Sequence, residues 1–448
     1  MIHTHGKRHL HHDNESYDIV GVGIGPANLS VAALLDPLPQ INRRFYDRKA
    51  HFAWHEGMLL PDAELQVSFL KDLVTLVEPT NRFSFLSFLH AHDRLYAFLN
   101  ARFEAIFRRE FNQYLHWVAD SLEDLAFGQS VMSVTLDDQL TVRTDNEQIQ
   151  TRAIVLGTGL SPKLPPFTTP YVGETVFHGS EYLRRRHQFA NKRIAVVGGG
   201  QTGAEIFLSL ISCQNDSAPA SVCWLSRRSN FLPLDDTPFI NELFTPSYSD
   251  YFYSLDFDVR SRLIAEQKLA SDGISVSTLQ QIYRRLYQQL YLGNASHLPW
   301  SLRPGRELIG LEPLLGGWRL HSTEMIHHAM EYVDVDVVIL CTGFEYRMPT
   351  CLEPLAHRIE WGPGGYHVLP DFSIAWDGPD DLHIYVQNAA MSARGIADPN
   401  LSLLSWRSAK IINSLLGREV YPLRNPQAFI DWSVPDADAM SVQMANVG

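Results

Sequence analysis

Two clusters of glycine dominate the residues with chemical potential in this chain. Gly21, Gly23 and Gly25 follow a short apolar run, Tyr17–Val20, and precede Pro26, Asn28 and a small or apolar stretch to Leu35. Gly198, Gly199, Gly200, Gln201, Thr202 and Gly203 follow the Ile- and Val-rich Arg193–Val197 and precede Ala204–Ile211. A strand, a glycine turn and a helix start make a cradle for a diphosphate, because the backbone approaches the anion closely and the helix N-terminus offers unpaired N–H groups and a positive dipole end. The first cluster has Pro26 at the sixth position of G-x-G-x-x-G, so on its own it also reads as an ordinary tight turn. The second is complete.

The next strand after each cluster sharpens the reading. Arg44–Tyr46 ends at Asp47, 26 residues beyond Gly21 (47 − 21), where an acid accepts a ribose hydroxyl. Val222–Leu225 ends instead in Ser226, Arg227 and Arg228, suited to a 2′-phosphate, although paired arginines also make a plain solvated strand end. Two units 177 residues apart (198 − 21) imply two nucleotides, an adenine dinucleotide in the first and NADPH in the second. Apolar Ala153–Leu156 before Gly157-Thr158-Gly159, and Val335–Leu340 before Cys341-Thr342-Gly343, read as strands that return the chain to each sheet, with Thr342 and Gly343 close to a nucleotide. Such pairs hold FAD first and NADPH second, since hydride passes from nicotinamide to flavin.

These units fit the whole chain. Its 448 residues predict two or three domains, and 45% hydrophobic against 19% charged residues predicts well-packed cores. The expected fold is α/β: an FAD unit over 17–190 and 346–448, a second Rossmann-like unit inserted at 191–345, and a substrate segment near 236–295. A His-rich tail over 1–16 is expected to be solvated, with no metal site. Net charge −13 argues against nucleic acid, and the absence of a long apolar run argues against a membrane span and for the cytoplasm. Cys213, Cys223, Cys341 and Cys351 form no C-x-x-C pair, which disfavours a disulfide reductase and leaves molecular oxygen as the electron acceptor.

The stretches Phe52-Ala-Trp54-His55-Glu-Gly-Met58, Gln66-Val-Ser-Phe-Leu-Lys71-Asp-Leu73, Arg108–Tyr114, His178-Gly-Ser180, Pro238–Phe244, Asn388 and Gly395-Ile396 resemble the flavin-dependent N-hydroxylating monooxygenases of hydroxamate siderophore biosynthesis. The resemblance spans Tyr17 to Trp432. It implies hydroxylation of the terminal amine of L-lysine, L-ornithine or a diamine through a flavin hydroperoxide. It places Gly21, Gly23, Gly25, Asp47, Trp54, His55 and Gln66 at FAD, and Gly200, Gln201, Thr202, Arg227 and Arg228 at NADPH. Lys71 and Asn241 match positions that hold a substrate carboxylate. Similar enzymes are dimers or tetramers, so a homo-oligomer is expected.

Read without the family, Lys71 pairs with Asp72 or snorkels, Asn241 caps a helix, and the aromatic cluster Phe239, Phe244, Tyr248, Tyr251, Phe252 and Tyr253 is core or pocket wall. Ser271-Asp272-Gly273 resembles the lysine and diamine branch rather than the ornithine one. Asp272 is either an ammonium partner or a turn residue. Arg394 stands where relatives carry a histidine. No side chain is identified as acid or base. The rivals are L-ornithine hydroxylation, a ketone-inserting flavoenzyme or reductase, and a non-catalytic flavin binder; the ketone-inserting signature lacks its Trp-Pro ending near Phe177–Arg186.

Overall fold

The computed structural model describes residues 16–293, 298–424 and 429–432. The histidines at 3, 5, 9, 11 and 12 therefore lie outside the described residues.

Two five-stranded parallel sheets organise the chain. The first runs in the order His383–Val386, Ala153–Leu156, Ile19–Val22, Arg43–Asp47, Leu125–Phe127. The second runs Val176–His178, Val337–Leu340, Arg193–Val197, Ser221–Ser226, Trp300–Pro304. In both, the glycine-motif strand is central, with the return strand on one side and the strand carrying Asp47 or Ser226 on the other. The central and return strands read I-V-G-V, A-I-V-L and V-V-I-L because parallel strands are covered on both faces and have no polar side. The chain leaves the first sheet after Ala153–Leu156, builds the second, and comes back at His383–Val386.

The first strand runs to Val22 rather than ending at Val20, so Gly21 lies inside it. Gly21 pairs with Phe45 and Val155, and a Cβ on it would sit 2.0 Å from the Phe45 ring. Close packing by an aromatic neighbour therefore requires this glycine.

Smaller sheets flank the pair: Val131–Leu136, Leu140–Thr144 and Gln148–Thr151 with Ser16–Tyr17, and an antiparallel set Arg306–Leu314, Gly317–Glu324, Met330–Val335. Between the last two strands of the second sheet lies a run of helices from Pro238 to Leu292. The two cores interlock. Phe244, Tyr248 and Phe252 of the helical run are buried in the first core, whereas Met58, Leu60 and Ala63 of the first unit are buried in the second. At that crossing a Cβ on Gly57 would come 1.8 Å from the Ser180 carbonyl, so only glycine permits it.

Candidate functional site

The first cradle forms where Ile19–Val22 meets the helix Pro26–Leu35. Gly23, at φ +89, turns back against the return strand, with its Cβ position 2.6 Å from the Gly157 carbonyl. Gly25 has ordinary extended backbone, and the first atom its Cβ would meet is 4.0 Å away, so the space in front of it is open. The first turn carries no acid and no side-chain cap, and Pro26 at its start sacrifices only an N–H that would be unpaired anyway. Asp47 holds the loop from the next strand: Oδ2 accepts from Ile24 N at 2.8 Å and Oδ1 from Lys49 N at 2.9 Å. Trp54 packs on Phe111, with its ring 5.0 Å from that of His55. His55 sits in left-handed backbone and is exposed on one side. The protein around the rest of it, with Arg108 and Lys49 nearby, lowers its pKa to about 4, so the imidazole is neutral at physiological pH.

Asn28 differs from the sequence expectation. It is wholly buried; its Nδ2 donates to the Gly23 and Val155 carbonyls at 2.9 and 3.1 Å, and its Oδ1 accepts from Gln387 at 3.1 Å. Its side chain ties the two strand ends together instead of facing the open cradle. Gln387 Oε1 in turn accepts from Arg407, which pairs with Asp398 at 2.8 Å, with both side chains almost fully buried. No sequence signal marked this network, because its members are spread from residue 28 to residue 407. Removing one partner of a buried pair leaves an uncompensated charge, so Arg407→Met is expected to cost about 3–5 kcal/mol in denaturant unfolding, with FAD content falling in parallel.

The second cradle repeats the geometry. Gly198, at φ +135, has its Cβ position 2.0 Å from the Cys341 carbonyl, and that of Gly203 is 2.2 Å from Gly198 O. Gly200 caps the helix Gln201–Ser212 in extended backbone, with nothing closer to its Cβ than Asp272 O at 3.6 Å. Arg228 reaches this loop, its Nη1 donating to Gly199 O and Asp272 O at 3.3 and 3.0 Å. Arg227 is exposed and pairs with Glu307 at 3.2 Å. Thr202 turns its methyl toward Gly179, and Thr342 donates to the Lys163 carbonyl. Gly343, at φ +85, accepts from His178 Nε2 at 3.1 Å. Open glycines on uncapped helix ends in both units fit two diphosphates.

Between the cradles, Gln66 Nε2 donates to Gln201 Oε1 at 3.4 Å and Ser275 Oγ at 3.2 Å. Lys71 lies on the same segment. Its Nζ donates to Ser402 Oγ at 2.9 Å and stands 5.8 Å over the Phe244 ring. Asp72 is not its partner, since that carboxylate accepts from Val74, Thr75 and Phe85 backbone N–H groups. Burial lowers the Lys71 pKa, and among the described residues no carboxylate pairs with it. Ser402, itself positioned by Asn400, is a contact the sequence reading did not find. Asn241 is exposed at the end of Pro238–Asn241, with its side chain donating to Asp236 O.

Two further expectations change. Asp272 ends the helix Lys268–Asp272 just before Gly273, pairs with Lys268 at 3.4 Å, and has its carbonyl by Gly200 and Arg228, so of its two readings the turn residue fits and the side chain lies beside the second cradle. Arg394 is buried, bonded to Asp250 at 2.7 Å and stacked 4.2 Å from Tyr253, where it anchors the helix Pro246–Ser254. Of the aromatic cluster, Phe244, Tyr248 and Phe252 are core, and Phe239 is 71% exposed. The four cysteines are free, and all but Cys213 are buried. Among the described residues no helix is long and apolar enough to cross a membrane, and no group of three or more His, Cys, Asp or Glu is placed to hold a metal.

Comparison with known proteins agrees with this geometry. The L-lysine N6-monooxygenase of Escherichia coli is 40% identical over 424 residues, 93% of this chain and 99% of its own. A putrescine N-hydroxylase of Acinetobacter baumannii is 35% identical over 93% of this chain and 94% of its own. The solved structure of the FAD-bound cadaverine monooxygenase DfoA of Erwinia amylovora superposes with a TM-score of 0.88, at 32% identity, covering 94% of this chain and all of that one. The profile described as L-lysine 6-monooxygenase/L-ornithine 5-monooxygenase matches residues 15–346, and the chain belongs to that family.

Proposed function

We propose that this chain hydroxylates the terminal amine of L-lysine, using FAD in the first cradle and NADPH in the second, as an early step toward a hydroxamate siderophore. The observation that carries the substrate is Lys71: a partly desolvated ammonium, hydrogen-bonded to a neutral hydroxyl and without an acid partner among the described residues, suits a carboxylate. A diamine would leave it unpaired, and an unpaired buried charge is costly. When bound, NADPH would supply two electrons through FAD to dioxygen, so that one oxygen atom is placed on the amine nitrogen and the other leaves as water.

The chain's own residues bind and orient. Gly25 and Gly200 leave room for the diphosphates, with Asp47, Trp54 and His55 beside the first and Gln201, Arg227 and Arg228 beside the second. Lys71, Ser402 and Asn241 hold the amino-acid end, and apolar walls such as Phe244 exclude water. We divide the chain accordingly at about 190 and 345. A biosynthetic role drawing on NADPH places the enzyme in the cytoplasm. The exposed stripe Tyr283, Tyr287, Leu290 and Tyr291 favours a homo-oligomer, to be measured by light scattering.

The test is a panel of L-lysine, L-ornithine, cadaverine and putrescine with FAD-loaded enzyme, scoring the product one oxygen atom heavier. Preference for L-lysine is expected; preference for a diamine would overturn the substrate, and no oxygenated amine would overturn the reaction.

The pH profile follows from two groups. Only the neutral substrate amine has a lone pair, and its free pKa is about 10.4, so kcat/KM for L-lysine rises as pH climbs from about 6 to 8. Lys71 must be charged to hold the carboxylate. Burial lowers its pKa, so its proton is lost, and binding falls, at lower pH than for a free lysine. The profile is expected to be a bell, and Lys71→Met should lower it throughout and abolish its alkaline limb.

A further inference from the structure

Gln66, Gln201, Glu205 and Arg108 close a ring of hydrogen bonds across the junction of the two nucleotide units. Gln66 Nε2 donates to Gln201 Oε1 at 3.4 Å, and Gln201 Nε2 donates to Glu205 Oε1 at 2.7 Å. The same carboxylate oxygen receives Arg108 Nη2. Arg108 then returns to the first unit, with Nε donating to Glu64 O at 3.1 Å and its backbone N to Ala63 O at 2.8 Å, two residues before Gln66 in the case of Glu64. Gln201 opens the helix whose N-terminus is the second cradle, and Glu205 lies one turn further along it.

The pair is buried, with side chains 16% and 6% exposed, and Glu205 Oε2 has no hydrogen-bond partner among the described residues. A buried carboxylate on one unit and a guanidinium on the other satisfy each other only in the docked arrangement. Full separation would return both charges to water, so the pair acts on register: a misaligned docking would leave each charge buried without its partner, which is costly and gives the docked register its preference. The chemistry proposed above needs such a preference, because nicotinamide must stay aligned with flavin while water is excluded.

We propose that Arg108 and Glu205 are positioning residues that lock the second cradle against the first, so that affinity for oxidised NADP and the yield of hydroxylated amine per NADPH consumed both depend on the pair. This rests on the reading of the reaction given above.

The experiment uses the full FAD-loaded chain with Arg108→Met, Arg108→Lys, Glu205→Gln and the double variant Arg108→Met/Glu205→Gln. NADP⁺ affinity is measured by calorimetry without turnover, and hydrogen peroxide per NADPH is measured with L-lysine present. Each of Arg108→Met and Glu205→Gln is expected to weaken NADP⁺ about tenfold and raise the peroxide share several-fold, while the double variant is no worse than the worse single, the signature of a coupled pair. Arg108→Lys should recover part of the loss, and KM for L-lysine should stay within about twofold. A merely structural role would lower melting temperature and FAD content without changing the peroxide share of the protein that retains FAD.

Unchanged NADP⁺ affinity in FAD-loaded Glu205→Gln overturns the proposal, as do losses that add in the double variant. Should Arg108→Met fail to fold, the near-isosteric Glu205→Gln decides alone. If wild-type enzyme oxygenates no amine but Glu205→Gln still weakens NADP⁺, the reaction falls and the lock stands; the converse pattern removes the lock and keeps the reaction.

Discussion

Replacing Lys71 with methionine is expected to raise the KM for L-lysine about 30- to 150-fold, the equivalent of ~2–3 kcal/mol for a hydrogen bond between charged groups. Cadaverine, which lacks the carboxylate, should be used about as well as before. Flavin reduction by NADPH should be unchanged, since neither cradle contains this side chain. Stability should not fall and should rise slightly, because the wild-type ammonium is held by Ser402 alone among the described residues and its burial already lowers its pKa. Methionine keeps the apolar stem against Phe244 and discards the charge. This combination separates a binding role from a structural one: a residue kept for the fold would lose stability on replacement, whereas one kept for a ligand loses affinity instead. Equal losses for L-lysine and cadaverine would remove the carboxylate from the assignment. Steady-state kinetics on both amines, with a melting curve on the same preparation, suffice.

What was legible in the sequence was local. Each glycine cluster lies within one strand-turn-helix unit, so the pair together pointed to two cradles, and the apolar Ala153–Leu156 and Val335–Leu340 announced buried strands, the second of which starts at Val337 because Val335 closes the antiparallel strand before it. The reason for each glycine was less legible. Gly21 answers to the Phe45 ring and Gly198 to the Cys341 carbonyl, neighbours distant in sequence that only the folded sheet brings together. Asn28 read as a cofactor contact because it sits just after the loop, yet its hydrogen bonds go to Val155 and to Gln387. Asp272 read as either an ammonium partner or a turn residue; it ends the helix Lys268–Asp272 and pairs with the lysine four residues before it. Ser402 and Arg407 have no local motif, and Arg108 opens a stretch that carries the resemblance without pointing to Glu205; their partners lie 331, 9 and 97 residues away. Only the Arg407–Asp398 spacing is short, and an arginine in a helix that also carries Ser405, Ser408, Lys410 and Asn413 gave no hint that it was buried with its partner.

That distinction between glycines makes the second large effect specific. Gly200→Ala should leave folding and FAD content intact, since its backbone is extended at φ −104 and its new methyl would meet nothing nearer than 3.6 Å. The methyl would nevertheless occupy the space in front of the helix Gln201–Ser212, where a diphosphate draws on free N–H groups. Losing one hydrogen bond to a charged group, about 1.5–3 kcal/mol, predicts an NADPH KM raised about 10- to 150-fold, with dithionite still reducing the flavin normally. Gly198→Ala, two residues earlier, should behave in the opposite way. Its φ of +135 is unfavourable for any L side chain, and its Cβ would be 2.0 Å from a backbone carbonyl that cannot move without shifting the strand Val337–Leu340. A loss of about 3 kcal/mol or more is expected, visible as a lower melting temperature before any ligand is added. Should Gly200→Ala bind NADPH normally, the second cradle is not where the diphosphate rests; should Gly198→Ala melt like the wild type, the close approach of the motif strand to its return strand is not what demands glycine there.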